Sequence, residues 1–347
     1  MNSIAKWNLQ INESFRDEIN RRIYLDSCLK AEIAEQMCIS SSTLYKRLNG
    51  SSEFTTGELV YLMRKFNLSF DSMVFDPGQS INIQLPGMIH PVKSIDDYIK
   101  RLQNLLQQVN NLPDSTIYYT SHEVPFFYYC IDPLLGAFKL FMFANAVWGL
   151  KTFEDGAVFD PAHYSSALLK DIQDLWEGYS HLTTSEVWNP NIWDNTIQQI
   201  LFMSEIKAFP CTEVALDILS RIDHILDKIE RMVQVGHKYS AGLDAESRSP
   251  LTVFNNRMIY SNNVIIVDND IRPYIFIIHD NPNFFVCEDD SLIKYTLNWI
   301  RTLEKKSYNL SHASGHHRIN FFKLLHSKID YTRKKVELLD KEEPHMF

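Results

Sequence analysis

The residues best placed for chemistry lie in KAEIAEQMCISSSTLYKRLNG, Lys30–Gly50. Ser40, Ser41, Ser42 and Thr43 bring consecutive hydroxyls to the start of a predicted helix, and Tyr45, Lys46 and Arg47 follow within a turn. Small hydroxyls at a helix N-terminus can approach bases or phosphates, and the backbone N–H groups there bind anions. Lys46 and Arg47 add phosphate attraction or guanine readout. The spacing points to a polyanion laid along one side of a short helix.

Holding such a helix against DNA needs a scaffold. Ile33 and Met37 line the first helix, and Ala34 is the small residue where a second helix crosses it. Ile39 plugs the turn, and Leu44 and Leu48 form the inner side of the second helix. Upstream, Ile11–Leu25 carries Phe15, Ile19 and Ile23 four residues apart, a helical stripe with Asn12 as its N-cap. Downstream, TTGELVYLMRKFN opens with Thr55 and Glu58 at capping-box spacing and buries Leu59, Leu62, Met63 and Phe66. LSFDSMVF closes the unit as a last short turn of helix.

AEIAEQMCISSSTLYKRLNG together with FTTGELVYLMRKFNLSFDSMV resembles the Xre/lambda-repressor-like helix-turn-helix domain, over roughly residues 12–75. The whole chain is similar to Bacteroidetes-type regulators with this head, through VPFFYYCIDPLLGAFKLFMF and YTLNWIRTLEKKSYNLSHASGHHRINFFKLLHSKI. The resemblance implies a five-helix DNA-binding head whose recognition helix, near Ser41–Asn49, enters a major groove. It implies a transcription regulator with double-stranded DNA as partner and Ser40, Ser41, Ser42, Thr43, Tyr45, Lys46 and Arg47 as DNA-binding residues. A small head makes few phosphate contacts, so a homodimer on two half-sites about one helical turn apart is expected. Cys38 stands where the family usually has Gly. The i, i+4 spacing of Leu44 and Leu48 leaves Arg47 at a place that is often apolar.

The remainder reads as mainly α. DPGQSINIQLPGMIHP (Asp76–Pro91) makes a linker of 76–92, and 93–240 is a helical, aromatic-rich middle for dimerisation or sensing. Residues 250–340 form a C-terminal α+β module, in which runs around VIIVD and YIFIIHD read as a small antiparallel sheet followed by two amphipathic helices. GHKYSAGLDAESRSP is polar and reads as a second linker or an exposed loop. The apolar stripe of Val214–Val235 is longer than a small domain requires and invites a dimer seam.

Net charge is −9, yet residues 1–75 balance nine Lys/Arg against nine Asp/Glu, so the acidic excess lies downstream. That excludes a basic coating protein and leaves room for a compact reader with its cations on one face. Five scattered cysteines without a C-x-x-C fit a reducing cytosol and buried thiols. The start lacks a signal-peptide pattern, and Asp132, Pro133 and Lys139 interrupt the apolar stretch Val124–Leu150. The expectation is a cytoplasmic protein that does not cross the membrane.

Other groups read as structural. His312, His316 and His317 lack Cys or acidic partners, and Gly315 should break any helix among them, so a solvated loop is expected. Ser311 has no nucleophile elbow around it. His237 beside Lys238 lacks the His-x-Lys spacing of phospholipase-D-like effectors. The pairs Asp96–Asp97, Asp289–Asp290 and Glu342–Glu343 read as caps or solvated tails. No catalytic residue, metal site or cofactor is expected. Phe126, Phe127, Tyr128, Tyr129, Phe138, Phe141, Phe143 and Trp148 read as core or, alternatively, as a ligand pocket with His122, Asp132 and Lys139 as its polar groups. Two further functions stay open: a head that docks protein instead of DNA, and an enzyme or effector in the C-terminal module, near His279, Asp280 and the 312–317 loop, with the head as its targeting device.

Overall fold

In the computed structural model, helix α1 (Ser3–Ile23) turns Phe15, Ile19 and Ile23 onto one buried side. The structure describes residues 3–23, 27–66, 68–70, 81, 83–86, 90–150, 156–239, 249–258, 263–280, 282–311 and 315–341. The chain forms two compact units: Met1–Gln84 with Asp270–Tyr274 and Cys287–Lys294, and Leu85–Asn269 with Ile275–Val286 and Tyr295–Phe347.

In the first unit α1 is followed by α2 (Ser27–Gln36), α3 (Ser41–Leu48) and α4 (Thr56–Phe66). Their shared core is Phe15, Ile19, Ile23, Ile33, Ala34, Leu44, Phe54 and Leu62, with Met37, Ile39 and Leu48 packed against it. The rings of Phe15 and Phe54 meet edge to face at 5.4 Å. Each fully buried large apolar side chain contributes about 1.5–3 kcal/mol, so this small core carries most of the unit's cohesion. The turn after α2 closes with Ile39 N–H donating to Ala34 C=O (3.0 Å) and Cys38 N–H to Glu35 C=O (2.9 Å). That pattern places Cys38 at φ +54°, where a left-handed residue satisfies the last helical carbonyls. At α4, Thr55 N–H donates to Glu58 (2.6 Å) and Glu58 N–H to Thr55 Oγ1 (3.3 Å), a reciprocal capping box. Of the closing helix read over LSFDSMVF, residues 68–70 are described and are not helical; the rest, like most of the linker 76–92, lies outside the described residues.

The second unit is built on a seven-stranded mixed sheet, which overturns the reading of a mainly α chain with a small antiparallel sheet. The fold is α/β, 61% helical. With β1 (Thr116–Thr120), β2 (Thr183–Trp188), β3 (Leu251–Asn255), β4 (Val264–Asp268), β5 (Tyr274–Asp280), β6 (Asn283–Cys287) and β7 (Tyr308–Asn309), the order is β6-β5-β4-β1-β2-β3-β7. β1 pairs parallel with β2, and β2 parallel with β3. β1 is antiparallel to β4, and β3 to β7. Parallel neighbours need crossovers. The first runs through α6 (Phe126–Tyr129), α7 (Pro133–Phe143) and α8 (Ser166–Ser180), and the second through α9 (Asp194–Glu205) and α10 (Thr212–Val235). The expected helical middle therefore supplies two central strands. TIYYT and TTSEVW are β-branched and aromatic, but each is too short beside long amphipathic helices for a period-two signal to stand out.

Two further helices complete the unit, α5 (Ile95–Asn110) ahead of β1 and α12 (Gly315–Lys341), with the part of α11 (Asp290–Lys305) from Tyr295 onward. Gly315 opens α12 and breaks no helix. The apolar stripe of α10, Ile218, Ile222, Ile225, Ile229 and Val233 among it, is buried within the chain, with α12 as its main neighbour. The stripe's length is thus used inside the monomer and gives no support to a dimer seam. No helix among the described residues is long and apolar enough to cross a membrane. All five cysteines are free; Cys130 and Cys287 are buried, whereas Cys28, Cys38 and Cys211 are exposed, contrary to the expectation of buried thiols.

Candidate functional site

The side of α3 that faces away from the first unit's core is the strongest candidate surface. Ser40, in extended conformation, is the N-cap: its Oγ accepts from Thr43 N–H at 3.1 Å and lies 2.9 Å from both the Ser42 and Thr43 hydroxyls. This hydroxyl cluster fixes the first turn and replaces one missing backbone partner, an arrangement worth about 1 kcal/mol. Leu44 is buried and Leu48 half-buried, and Asn20 Nδ2 donates to Leu48 C=O at 3.1 Å, tying the end of α3 to α1. Ser41, Ser42, Tyr45 and Lys46 are left exposed, Tyr45 at 68%.

Arg47 does not share that surface. It lies three residues after Leu44, on the same side of the helix, with only 19% of its side chain exposed. Its Nη1 donates to the Glu53 carbonyl, and its Nε stands 3.3 Å from the Glu58 carboxylate. Arg47 is thus engaged between α3 and the capping box of α4. Of the seven residues read as DNA-contacting, Ser41, Ser42, Tyr45 and Lys46 are presented outward. Ser40 and Thr43 are exposed or half-exposed but occupied as caps, and Arg47 is turned inward.

Around the surface, Lys65 pairs with Glu32 (2.7 Å), joining α4 to α2, and this hydrogen bond raises the lysine pKa. The Tyr61 hydroxyl donates to Gln36. Gly50, at φ +81°, ends the α3 turn; a Cβ there would lie 3.3 Å from the Arg16 guanidinium. The left-handed φ and the close approach both call for glycine.

In the second unit, the aromatic stretch after β1 surrounds a charge pair of which the sequence signalled only the lysine. Lys139 is buried and donates to Glu123, to Gln199 (3.0 Å) and to Thr196 (3.4 Å). Glu123 also accepts from Tyr129 (3.3 Å), Thr196 (3.3 Å) and Asn195 (3.1 Å). Burial alone would raise the Glu123 pKa; the Lys139 ammonium and these donors outweigh it and leave the pKa lowered. The other two polar groups expected with Lys139 are elsewhere. His122 is exposed, and Asp132 caps α7 through Leu134 and Leu135 N–H (3.0 and 3.2 Å) and pairs with Arg221 (2.9 Å).

A second buried carboxylate, Glu186 on β2, was not anticipated from the sequence. Its Oε1 accepts from Tyr128 (2.9 Å), Tyr179 (3.0 Å) and Thr184 (3.0 Å), and its Oε2 from Trp188 Nε1 (2.9 Å). Lys238, expected in a polar linker or exposed loop, is fully buried and donates to Thr184 Oγ1 at 2.9 Å. Burial raises the Glu186 pKa against the opposing lysine, and lowers that of Lys238 to about 7. A charged residue inside the strand run TTSEVW was the available signal for Glu186; for Lys238 there was none.

His316 and His317 lie on the first turn of α12, His317 stacked on Tyr308 at 4.1 Å; His312 lies outside the described residues, as do Glu342 and Glu343. Ser311 Oγ accepts from Val253 N–H (3.0 Å), Asp289 caps α11 through Leu292 N–H (2.8 Å), and Asp97 pairs with Arg101 (2.6 Å). Among the described residues no three His, Cys, Asp or Glu side chains are grouped to hold a metal ion. No family model, no curated protein and no solved structure matches this chain.

Proposed function

We propose that the chain is a sequence-specific DNA-binding transcription regulator of the Xre/lambda-repressor-like kind, acting in the cytoplasm without catalytic activity of its own. The observation that carries the reading is the arrangement of α3: a short capped helix held by Leu44, Leu48 and Arg47, with Ser41, Ser42, Tyr45 and Lys46 pointing outward. A helix so held can enter a major groove N-terminus first, with Lys46 toward phosphate and Ser41, Ser42 and Tyr45 toward base edges or sugar. So small a surface offers few phosphate contacts, which favours two copies on paired half-sites.

A salt series of binding to DNA from the protein's own promoter region tests this. Tight, salt-sensitive, sequence-selective binding is expected. Lys46→Ala should weaken it across all sequences and lower the salt slope by about one. A wild-type protein that binds no DNA, or binds a protein partner with affinity unchanged across salt, would sink the reading and turn the head into a protein-docking hairpin.

A further inference from the structure

The second unit carries a partly open cavity of about 100 Å3 between α5, the face of β1, β4, β5 and β6, and the α6–α7 segment. That is room for roughly seven to ten water-sized spheres. Its walls are overwhelmingly apolar, with Phe126, Phe143, Phe276 and Phe284 among them.

The polar groups on the wall divide into two kinds. The Glu123–Lys139 pair is internally closed, since Lys139 spends its donors on Glu123, Gln199 and Thr196. No cationic N–H is left over for an anionic guest. Asn263 and Tyr98 differ. The Asn263 carboxamide oxygen accepts from His122 N–H at 2.9 Å, which leaves the amide NH2 with no hydrogen-bond partner among the described residues. The Tyr98 hydroxyl likewise has none among them, and burial raises its pKa, so it stays a neutral donor. Both residues line the cavity and are more than nine-tenths buried. Neither donor atom is sealed away from solvent, so a guest that accepts from them takes the place of water.

We infer that this cavity is a binding site for a neutral, ring-sized apolar molecule carrying one hydrogen-bond acceptor, such as a carbonyl or ether oxygen, which takes donors from Tyr98 and Asn263. The inference does not rest on DNA binding. The aromatic walls supply the contact area for the ring, and the closed ion pair excludes carboxylates, which would be buried beside Glu123 without a free cation.

The test is calorimetric titration and thermal shift of the full chain with acetophenone, with ethylbenzene of nearly the same shape but no acceptor, and with benzoate. Acetophenone should bind saturably and about tenfold more tightly than ethylbenzene, the worth of one or two neutral hydrogen bonds. Benzoate should not compete. Tyr98→Phe, which keeps the volume, should cut that preference several-fold. Leu102→Trp, which fills the cavity, should abolish binding of both neutral probes. If Leu102→Trp does not fold, Tyr98→Phe decides alone. No saturable binding of either neutral probe, equal affinity for the two, or an unchanged preference in Tyr98→Phe would overturn the inference.

Discussion

Arg47 and Lys46 are adjacent cations on the same short helix, yet their surroundings assign them opposite work. Lys46 is exposed, whereas Arg47 is held by the Glu53 carbonyl and stands beside the Glu58 carboxylate. Arg47→Ala should therefore lower stability by about 1–2 kcal/mol, because a carbonyl loses its donor and a partly buried carboxylate loses its ion-pair partner. Lys46→Ala should leave the urea midpoint within about 0.5 kcal/mol of wild type. Equal midpoints for the two variants would refute the assignment. Cys38, at φ +54°, makes a second residue-scale prediction. Cys38→Gly should stabilise the protein by about 1 kcal/mol, the approximate cost of left-handed backbone for a residue with a Cβ, read as a higher urea midpoint. The strain at Cys38 was expected from the resemblance, because the similar helix-turn-helix domains usually have Gly at that turn position. The sequence marked Arg47 as standing at an often apolar place, but not the groups that hold it, which come from six and eleven residues further along.

Strand β2 shows what an element can hide. TTSEVW alternates around Thr184, Glu186 and Trp188, and all three are buried. The carboxylate survives there because Tyr128, Tyr179, Thr184 and Trp188 all donate to it, and Lys238 reaches it through the Thr184 hydroxyl. Lys238 should give stability a pH dependence. Its folded pKa is lowered to about 7, against roughly 10.4 unfolded. Between these values the unfolded chain binds a proton that the folded chain has released, so stability rises with pH. Glu186 acts oppositely at lower pH: its raised folded pKa means the folded chain holds a proton longer, and its contribution falls as pH rises through that window. Urea midpoints should climb from pH 7 to 9 in wild type, and Lys238→Met should flatten that limb. A flat wild-type profile would count against a neutralised buried lysine.

At the scale of the molecule, the sheet binds together segments that look separate along the sequence. β1 has β4 on one side and β2 on the other, and β2 pairs in turn with β3, so strands from 116–120 and 183–188 depend on strands beyond residue 250. A fragment spanning residues 85–240 should consequently fail to fold. It would keep α5 to α10 but expose both edges of the β1–β2 pair and leave the α10 stripe without α12. Circular dichroism and amide dispersion in NMR spectra would report this. A cooperatively melting, monomeric fragment would show that the middle is an independent helical domain after all.

Local chemistry is what the sequence determined by itself. The four-residue stripe of α1, the long apolar stripe of α10 and the Thr55–Glu58 capping box are all set by neighbours within about one to six turns, where periodicity and hydrogen-bonding propensity speak directly. Sheet order, the parallel pairing of β1, β2 and β3, the burial of Glu186 and Lys238, the inward turn of Arg47 and the cavity beneath α5 were decided only by the tertiary structure. Each arises from groups brought together across tens to more than a hundred residues. A strand of five residues carries no record of its partner, and a charged side chain carries no record of the donors that will make its burial tolerable.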